Sequence, residues 1–186
     1  YDNLGVIWID AHGDINSSVT SPSGNIHGMP VGVLLGEGHE QLVDVHKSGP
    51  KLKHENIVFI GARDLDSGEQ AYIKEKNIKC HTMSDVRTER LTVVIKKALD
   101  SLEHCDAIHL SLDVDSLDPL EIEGTGTKVN GGLFLAELLE ALTILSASDR
   151  LVSCDLVEVN PLLDKGNNTA KKAVEIASFI FGKRLL

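Results

Sequence analysis

Five residues in two short runs could bind metal in this 186-residue chain: Asp10, His12 and Asp14 in Asp10-Ala11-His12-Gly13-Asp14, and Asp113 and Asp115 in Asp113-Val114-Asp115. Each run begins where an apolar stretch stops, at 4–9 and 107–112, and each stretch reads as a strand buried on both faces. Side chains two apart on an extended chain point the same way, so each set can converge if extension persists past the strand. Four carboxylates facing one another would repel and take up protons unless cations lay between them. Either run alone reads equally well as helix caps and loop carboxylates. Both at strand ends, with a histidine inserted, point to a two-metal hydrolase. Oxygen-rich ligation with one imidazole suits Mn²⁺ or Mg²⁺ better than a structural zinc.

Positioning such a site requires a scaffold of strands that end at one edge. Strand-like segments fall at 4–10, 57–62, 78–82, 105–113 and 150–157, and helix-compatible spacing at 30–35, 67–76, 84–102 and 133–146. Ser84 or Asp85 is expected to cap the third of these helices. At 169–181, Ala173, Ile176, Ala177 and Ile180 form one stripe of a closing helix. Strands alternating with crossovers predict an α/β fold, a three-layer α/β/α sandwich around a mostly parallel sheet covered on both faces. Asp10, Arg63, Asp113 and Glu158 then share the C-terminal edge of the strands, where open parallel sheets form their binding crevice. The loops that follow, 13–28 and 124–132, are rich in Gly, Ser, Thr and Asn and suited to substrate contact.

Composition sets the outer bounds. With 42% hydrophobic and 25% charged residues, the chain reads as one globular domain spanning 1–186. No stretch approaches the roughly 20 apolar residues of a membrane span, so neither a membrane setting nor a signal peptide is expected. A formal net charge of −10 disfavours nucleic acid and suits a cationic substrate or divalent metal. Cys80, Cys105 and Cys154 form no zinc knuckle or redox pair and read as reduced core thiols in a cytoplasmic protein.

Four segments resemble a known family. They are Trp8-Ile9-Asp10-Ala11-His12-Gly13-Asp14-Ile15-Asn16, Ser23-Gly24-Asn25-Ile26-His27-Gly28, Ser111-Leu112-Asp113-Val114-Asp115-Ser116-Leu117-Asp118-Pro119 and Glu158-Val159-Asn160-Pro161. In order and content they are similar to the ureohydrolases (arginases, agmatinases and formiminoglutamases), and within them to arginase. The likeness runs from Leu4 to the end of the chain. It implies hydrolysis of L-arginine to L-ornithine and urea by a hydroxide bridging two Mn²⁺ ions per subunit. Asp10 and Asp113 would bridge the ions, His12 and Asp115 would complete one, and Asp14 would bind the other. The family supplies a sixth ligand, a histidine in a Gly-Gly-Asp-His type motif upstream of the first run. No such motif occurs here, so the resemblance implies a chain without the family's N-terminal part and one ligand short.

The same resemblance assigns the remaining roles. Glu158 would bind the guanidinium, for which a carboxylate fork is well shaped. Asp14 would also pass a proton to the departing amine, and His27 would shuttle protons, since an imidazole titrates near neutrality. Asn16, Ser23 and Asn25 match the loop receiving the α-carboxylate, Asp66 and Glu69 match acids near the α-ammonium, and Thr127 matches a threonine near the substrate. Such a pocket favours arginine over agmatine, which lacks the carboxylate. Homo-oligomers, trimers or hexamers, are implied as well. Three readings stay open: an arginase or closely related ureohydrolase, a non-catalytic metal-binding or regulatory subunit of the same fold, and another metallohydrolase such as a deacetylase.

Overall fold

The computed structural model describes residues 1–183. Five strands form the sheet: β1 (Leu4–Ile9), β2 (Ile57–Ala62), β3 (Lys79–Thr82), β4 (Ala107–Asp113) and β5 (Leu151–Val157). All neighbours pair in parallel, in the order β3-β2-β1-β4-β5. The chain therefore winds outward from β1 to β3, then returns to the other side of β1 for β4 and β5. That reversal lies between β1 and β4, the two strands that carry the acid runs.

Helices cover one face completely. They are α4 (Met83–Glu89), α5 (Leu91–Ser101), α6 (Leu135–Leu145) and α7 (Asn168–Ile180). Leu91, Val94, Ile95 and Ala98 line the buried stripe of α5, and Ile176 and Phe179 that of α7. They pack on Ile7, Ile9, Val58, Ile60, Ile108, Leu110 and Leu112, the alternate residues of β1, β2 and β4 that face this side. The opposite face carries α1 (Pro30–Leu34), the single turn α2 (Glu40–Val43) and α3 (Ser67–Glu75). There Val31, Leu35 and Ile73 meet Val6, Trp8, Ile57 and Phe59. No helix among the described residues is long and apolar enough to cross a membrane.

Helices lie on both faces, as expected, and among the described residues those of the second face lie over β2 and β1. Over β4 and β5 the face is polar, where the His109 ring bridges Ser153 Oγ at 2.8 Å and Asp155 Oδ2 at 3.2 Å. The edge strand β5 alternates accordingly, with Cys154 and Leu156 half-buried toward the helices and Ser153, Asp155 and Val157 exposed.

Two local expectations are corrected. The helix expected over 84–102 is two helices, broken at Arg90, whose backbone sits at φ 76, ψ 141. Helical periodicity persists across the break, and no Gly or Pro announces it. The first of these helices is capped by Thr82 rather than Ser84 or Asp85: the Thr82 hydroxyl accepts from Asp85 N–H, and the Asp85 carboxylate accepts from Thr82 N–H at 2.8 Å. A non-glycine residue in the Arg90 conformation costs on the order of 1–3 kcal/mol. Arg90→Gly should therefore raise unfolding stability by about 1 kcal/mol after the entropy loss of glycine is subtracted. The urea midpoint checks this, and an unchanged or lower midpoint contradicts it.

Candidate metal centre

β1 is the central strand and is buried along almost its whole length, so its last side chains emerge into a dry junction. Asp10 is 2% exposed. Extension does not persist beyond Ile9, and the convergence expected from the pleat is achieved by turns instead. Asp10 Oδ1 accepts from His12 N–H at 2.7 Å, and Asp113 Oδ1 accepts from Asp115 N–H at 2.7 Å. The two acid runs thus use one device, an aspartate at the strand end whose carboxylate closes a turn two residues on. Asp14 then takes φ 51, and its carbonyl accepts from Val31 N–H at 2.9 Å, anchoring the start of α1. A Cβ at Gly13 would lie 2.8 Å from Glu69 Oε1 and 2.9 Å from Leu65 Cδ2, so any larger residue would displace the Glu69 carboxylate.

His12 Nδ1 lies 3.2 Å from Asp10 Oδ1 and 3.2 Å from Asp115 Oδ2. Asp10, His12 and Asp115 offer donor atoms that all fall within 4.8 Å of one another. Around them, Asp10 Oδ2 accepts from Trp8 Nε1–H at 3.1 Å, and Asp115 accepts from Ala11 N–H at 3.3 Å and the Thr127 hydroxyl at 2.9 Å. Partners of this kind orient ligand atoms before an ion arrives.

The charge balance is unfavourable for bare carboxylates. Burial, assisted by neighbouring acid charge, pushes Asp10 up to about 6, Asp14 to about 8 and Asp113 to about 10. Burial would lower His12, but its hydrogen bonds to Asp10 and Asp115 outweigh that and raise it to about 11. Burial would likewise raise Asp115, yet the bonds from His12 and Thr127 hold it below the usual carboxylate range. Three acids favouring protonation around one imidazolium form a set that divalent cations would satisfy. The oxygen-rich donors, with one imidazole and no thiolate, fit a hard cation.

His12, Asp14, Asp113 and Asp115 border one cleft together with Asn16, Ser23, His27, Asp66, Glu69, Thr127 and Glu158. Asp10, bonded to His12, is not among the residues that border the cleft. Glu158 follows β5 directly, exposed and at φ 64. His27 is exposed in a short 3₁₀ turn, Ile26–Gly28. Asn16 is buried, donating to Asp66 Oδ2 at 2.9 Å and accepting from the Thr20 hydroxyl at 2.9 Å. Glu69 is 3% exposed, and its two oxygens accept from Ile15 N–H at 3.1 Å and Asp66 N–H at 2.9 Å. Its carboxylate is therefore spent on holding two loops together, as the Thr127 hydroxyl is spent on Asp115.

Asn25 is exposed and precedes the 3₁₀ turn, with its N–H donated to Ser23 Oγ at 3.2 Å, and is not among the residues that border the cleft. Ser21, Gly28 and Asp64 border the cleft without having been singled out from the sequence. Asp64 had a usable signal, since it lies two residues beyond the end of β2.

The raised groups give the metal-free chain a definite pH dependence. The folded state holds protons on Asp14 and Asp113 that the unfolded chain, with carboxyls near 3.8, has released at neutral pH. Their stabilisation is present below that value and is lost as pH rises through about 8 and about 10. The His12 contribution, present below 6.5, is lost through about 11, the same direction. With a chelator present, the thermal midpoint should fall from mildly acidic to mildly alkaline pH. Divalent cation should reverse the fall, binding tighter at higher pH as it displaces protons. A chelated chain that is as stable at alkaline pH as at acidic pH overturns this.

A sequence profile described as the arginase family matches residues 1–182. The arginase of Bacillus subtilis (strain 168) is 53% identical over 186 residues, taking in 100% of this chain and 63% of that protein. A crystal structure of arginase from Bacillus subtilis superposes with a TM-score of 0.97 at 53% identity, over 100% of this chain and 65% of the other. Entamoeba histolytica arginase, solved in complex with L-ornithine, matches with a TM-score of 0.90 at 36% identity, over 97% and 60% of the two chains. The chain spans just under two thirds of the length of these relatives. On this continuous likeness in sequence and fold, the chain belongs to the arginase family.

Proposed function

We propose that the chain carries an arginase site, performing Mn²⁺-dependent hydrolysis of L-arginine to L-ornithine and urea. The observation that supports this most is the meeting of Asp10, His12 and Asp115 within 4.8 Å, beside a cleft that also receives Glu158 and His27. Asp10, His12, Asp14, Asp113 and Asp115 would hold two cations per subunit. The chemistry such ions supply when bound is a water activated for attack at neutral pH.

The side chains around the cleft account for the rest. Glu158 offers an exposed carboxylate that pairs with the planar guanidinium and sets its carbon toward the acid cluster. Asn16 and Ser23 receive the α-carboxylate, and Asp66 the α-ammonium. Glu69 acts on the substrate indirectly, by fixing the backbone of Asp66. Asp14 carries a proton to the departing amine, and His27, on the solvent side, exchanges protons with water. Residues 1–186 act as one domain in this reading, and homo-oligomeric assembly in the cytoplasm belongs to the same proposal.

The test is urea release from L-arginine by the purified chain loaded with Mn²⁺. Agmatine should be a poorer substrate by at least about a hundredfold in kcat/KM, because it lacks the α-carboxylate that this loop would receive. Glu158→Gln should lower kcat/KM about 10- to 100-fold through loss of a charge-assisted pair. His27→Ala should lower kcat by about a hundredfold or more while the metal content stays unchanged. Uptake of Mn²⁺ with no urea from any guanidino substrate would instead support the non-catalytic subunit, and amide deacetylation without urea would support a related metallohydrolase.

A further inference from the structure

Arg63 is the first residue after β2, and its half-buried guanidinium is bonded to backbone carbonyls. Nη2 donates to Asp115 O at 2.8 Å, to Val129 O at 2.8 Å and to Leu117 O at 3.4 Å. Nη1 donates to Ser116 O at 3.2 Å and Gly61 O at 3.4 Å, and Nε to Val129 O at 3.3 Å. The backbone N–H of Arg63 donates to Ala11 O at 2.8 Å. One residue thus ties together the ends of β1, β2 and β4 and the loop that carries Thr127. Val129 lies two residues after Thr127, whose hydroxyl reaches Asp115 Oδ2, the same oxygen that faces His12 Nδ1.

From this geometry we infer that Arg63 is a positioning residue for the cation site. It fixes Asp115 and Thr127 against the turn that carries Asp10 and His12, without itself bordering the cleft. The inference rests on the reading of Asp10, His12 and Asp115 as cation ligands. A lysine cannot take the same role, because its donors radiate from a single atom, whereas the planar fork spans carbonyls on two loops at once. The surroundings are fitted to that fork. A Cβ on Gly132 would lie 2.7 Å from Arg63 Nη2 and 2.6 Å from Asp118 N, and the Asp118 carboxylate accepts from Gly131 N–H at 2.8 Å and Gly132 N–H at 3.0 Å. Removing the guanidinium leaves several inward carbonyls unpaired and frees the 115–132 segment to move relative to His12.

The experiment compares the wild-type chain with Arg63→Ala, Arg63→Lys and a control, Arg87→Ala, which removes a surface pair with Glu137 and a bond to Gly132 O. Mn²⁺ uptake is read from the paramagnetic resonance signal of the free ion, and loop order from amide hydrogen exchange without metal. Arg63→Ala should weaken Mn²⁺ binding by about tenfold or more, as loss of outer-sphere partners does. It should speed exchange in 10–14 and 113–132 and leave the strand cores protected. Millimolar guanidinium ion should restore part of the affinity to Arg63→Ala and none to Arg87→Ala. Arg63→Lys should fold and show a smaller loss of the same kind. Wild-type exchange and affinity in both Arg63 variants would overturn the inference, as would an equal affinity loss in Arg87→Ala with no rescue by guanidinium. If the wild-type chain takes up no Mn²⁺, the cation reading fails by itself, and hydrogen exchange in the Arg63 variants still decides whether the clamp exists.

Discussion

Like charges held together in a dry junction are the constraint on which the rest of this structure depends. Asp10, Asp113 and Asp115 lie at the ends of two adjacent buried strands, with Asp14 a turn away, and each gains protons or partners to offset its neighbours. Left to itself such a set would push the strand ends apart. The fold resists that by placing it where β1 and β4 are held in register by six residue pairs and by packing on both strands. A parallel sheet whose winding direction reverses at this point leaves a crevice beyond its C-terminal edge. The cleft therefore follows from topology, and the acids from sequence.

The loops then convert a rough neighbourhood into a defined one. Two identical aspartate turns aim the first carboxylate of each run back at its own backbone, and the second donor of each run toward the other strand. Thr127, Glu69 and Arg63 are each committed to other protein groups, and each commitment restrains a neighbour that carries the proposed chemistry. Two of the strained backbone positions lie in these loops. Asp14 and Glu158 both hold positive φ without being glycine, a conformation that persists only where surroundings over-determine it.

The two sheet faces differ in a way that bears on the site only indirectly. Helices α4 to α7 seal one face with an apolar core that continues from β1 to β5. On the other, the helices among the described residues lie over β2 and β1, and His109, Ser153 and Asp155 form a polar ladder across β4 and β5. The site lies at the boundary of the two regimes, sealed on one side and open on the other.

The apolar runs placed all five strands within a few residues: β1, β2 and β4 are buried on both faces and nearly continuous in apolar residues, whereas β3 and β5 show shorter, interrupted runs. The paired acid runs, at the ends of two of those strands, pointed to the candidate cation site because adjacent parallel strands bring their C-terminal ends together. Sequence could not give the break at Arg90, where helical spacing continues through a single strained residue. Nor could it give the commitment of Glu69 to the backbone of Ile15 and Asp66, or of the Thr127 hydroxyl to Asp115. Whether a polar side chain in a matched loop faces substrate or another side chain is a question of distances across 50 or more residues, as between Asn16 and Asp66 or Arg63 and Asp115. Local sequence fixes which groups are present and on which strand they ride; only the packing of strand ends against one another decides which of them meet.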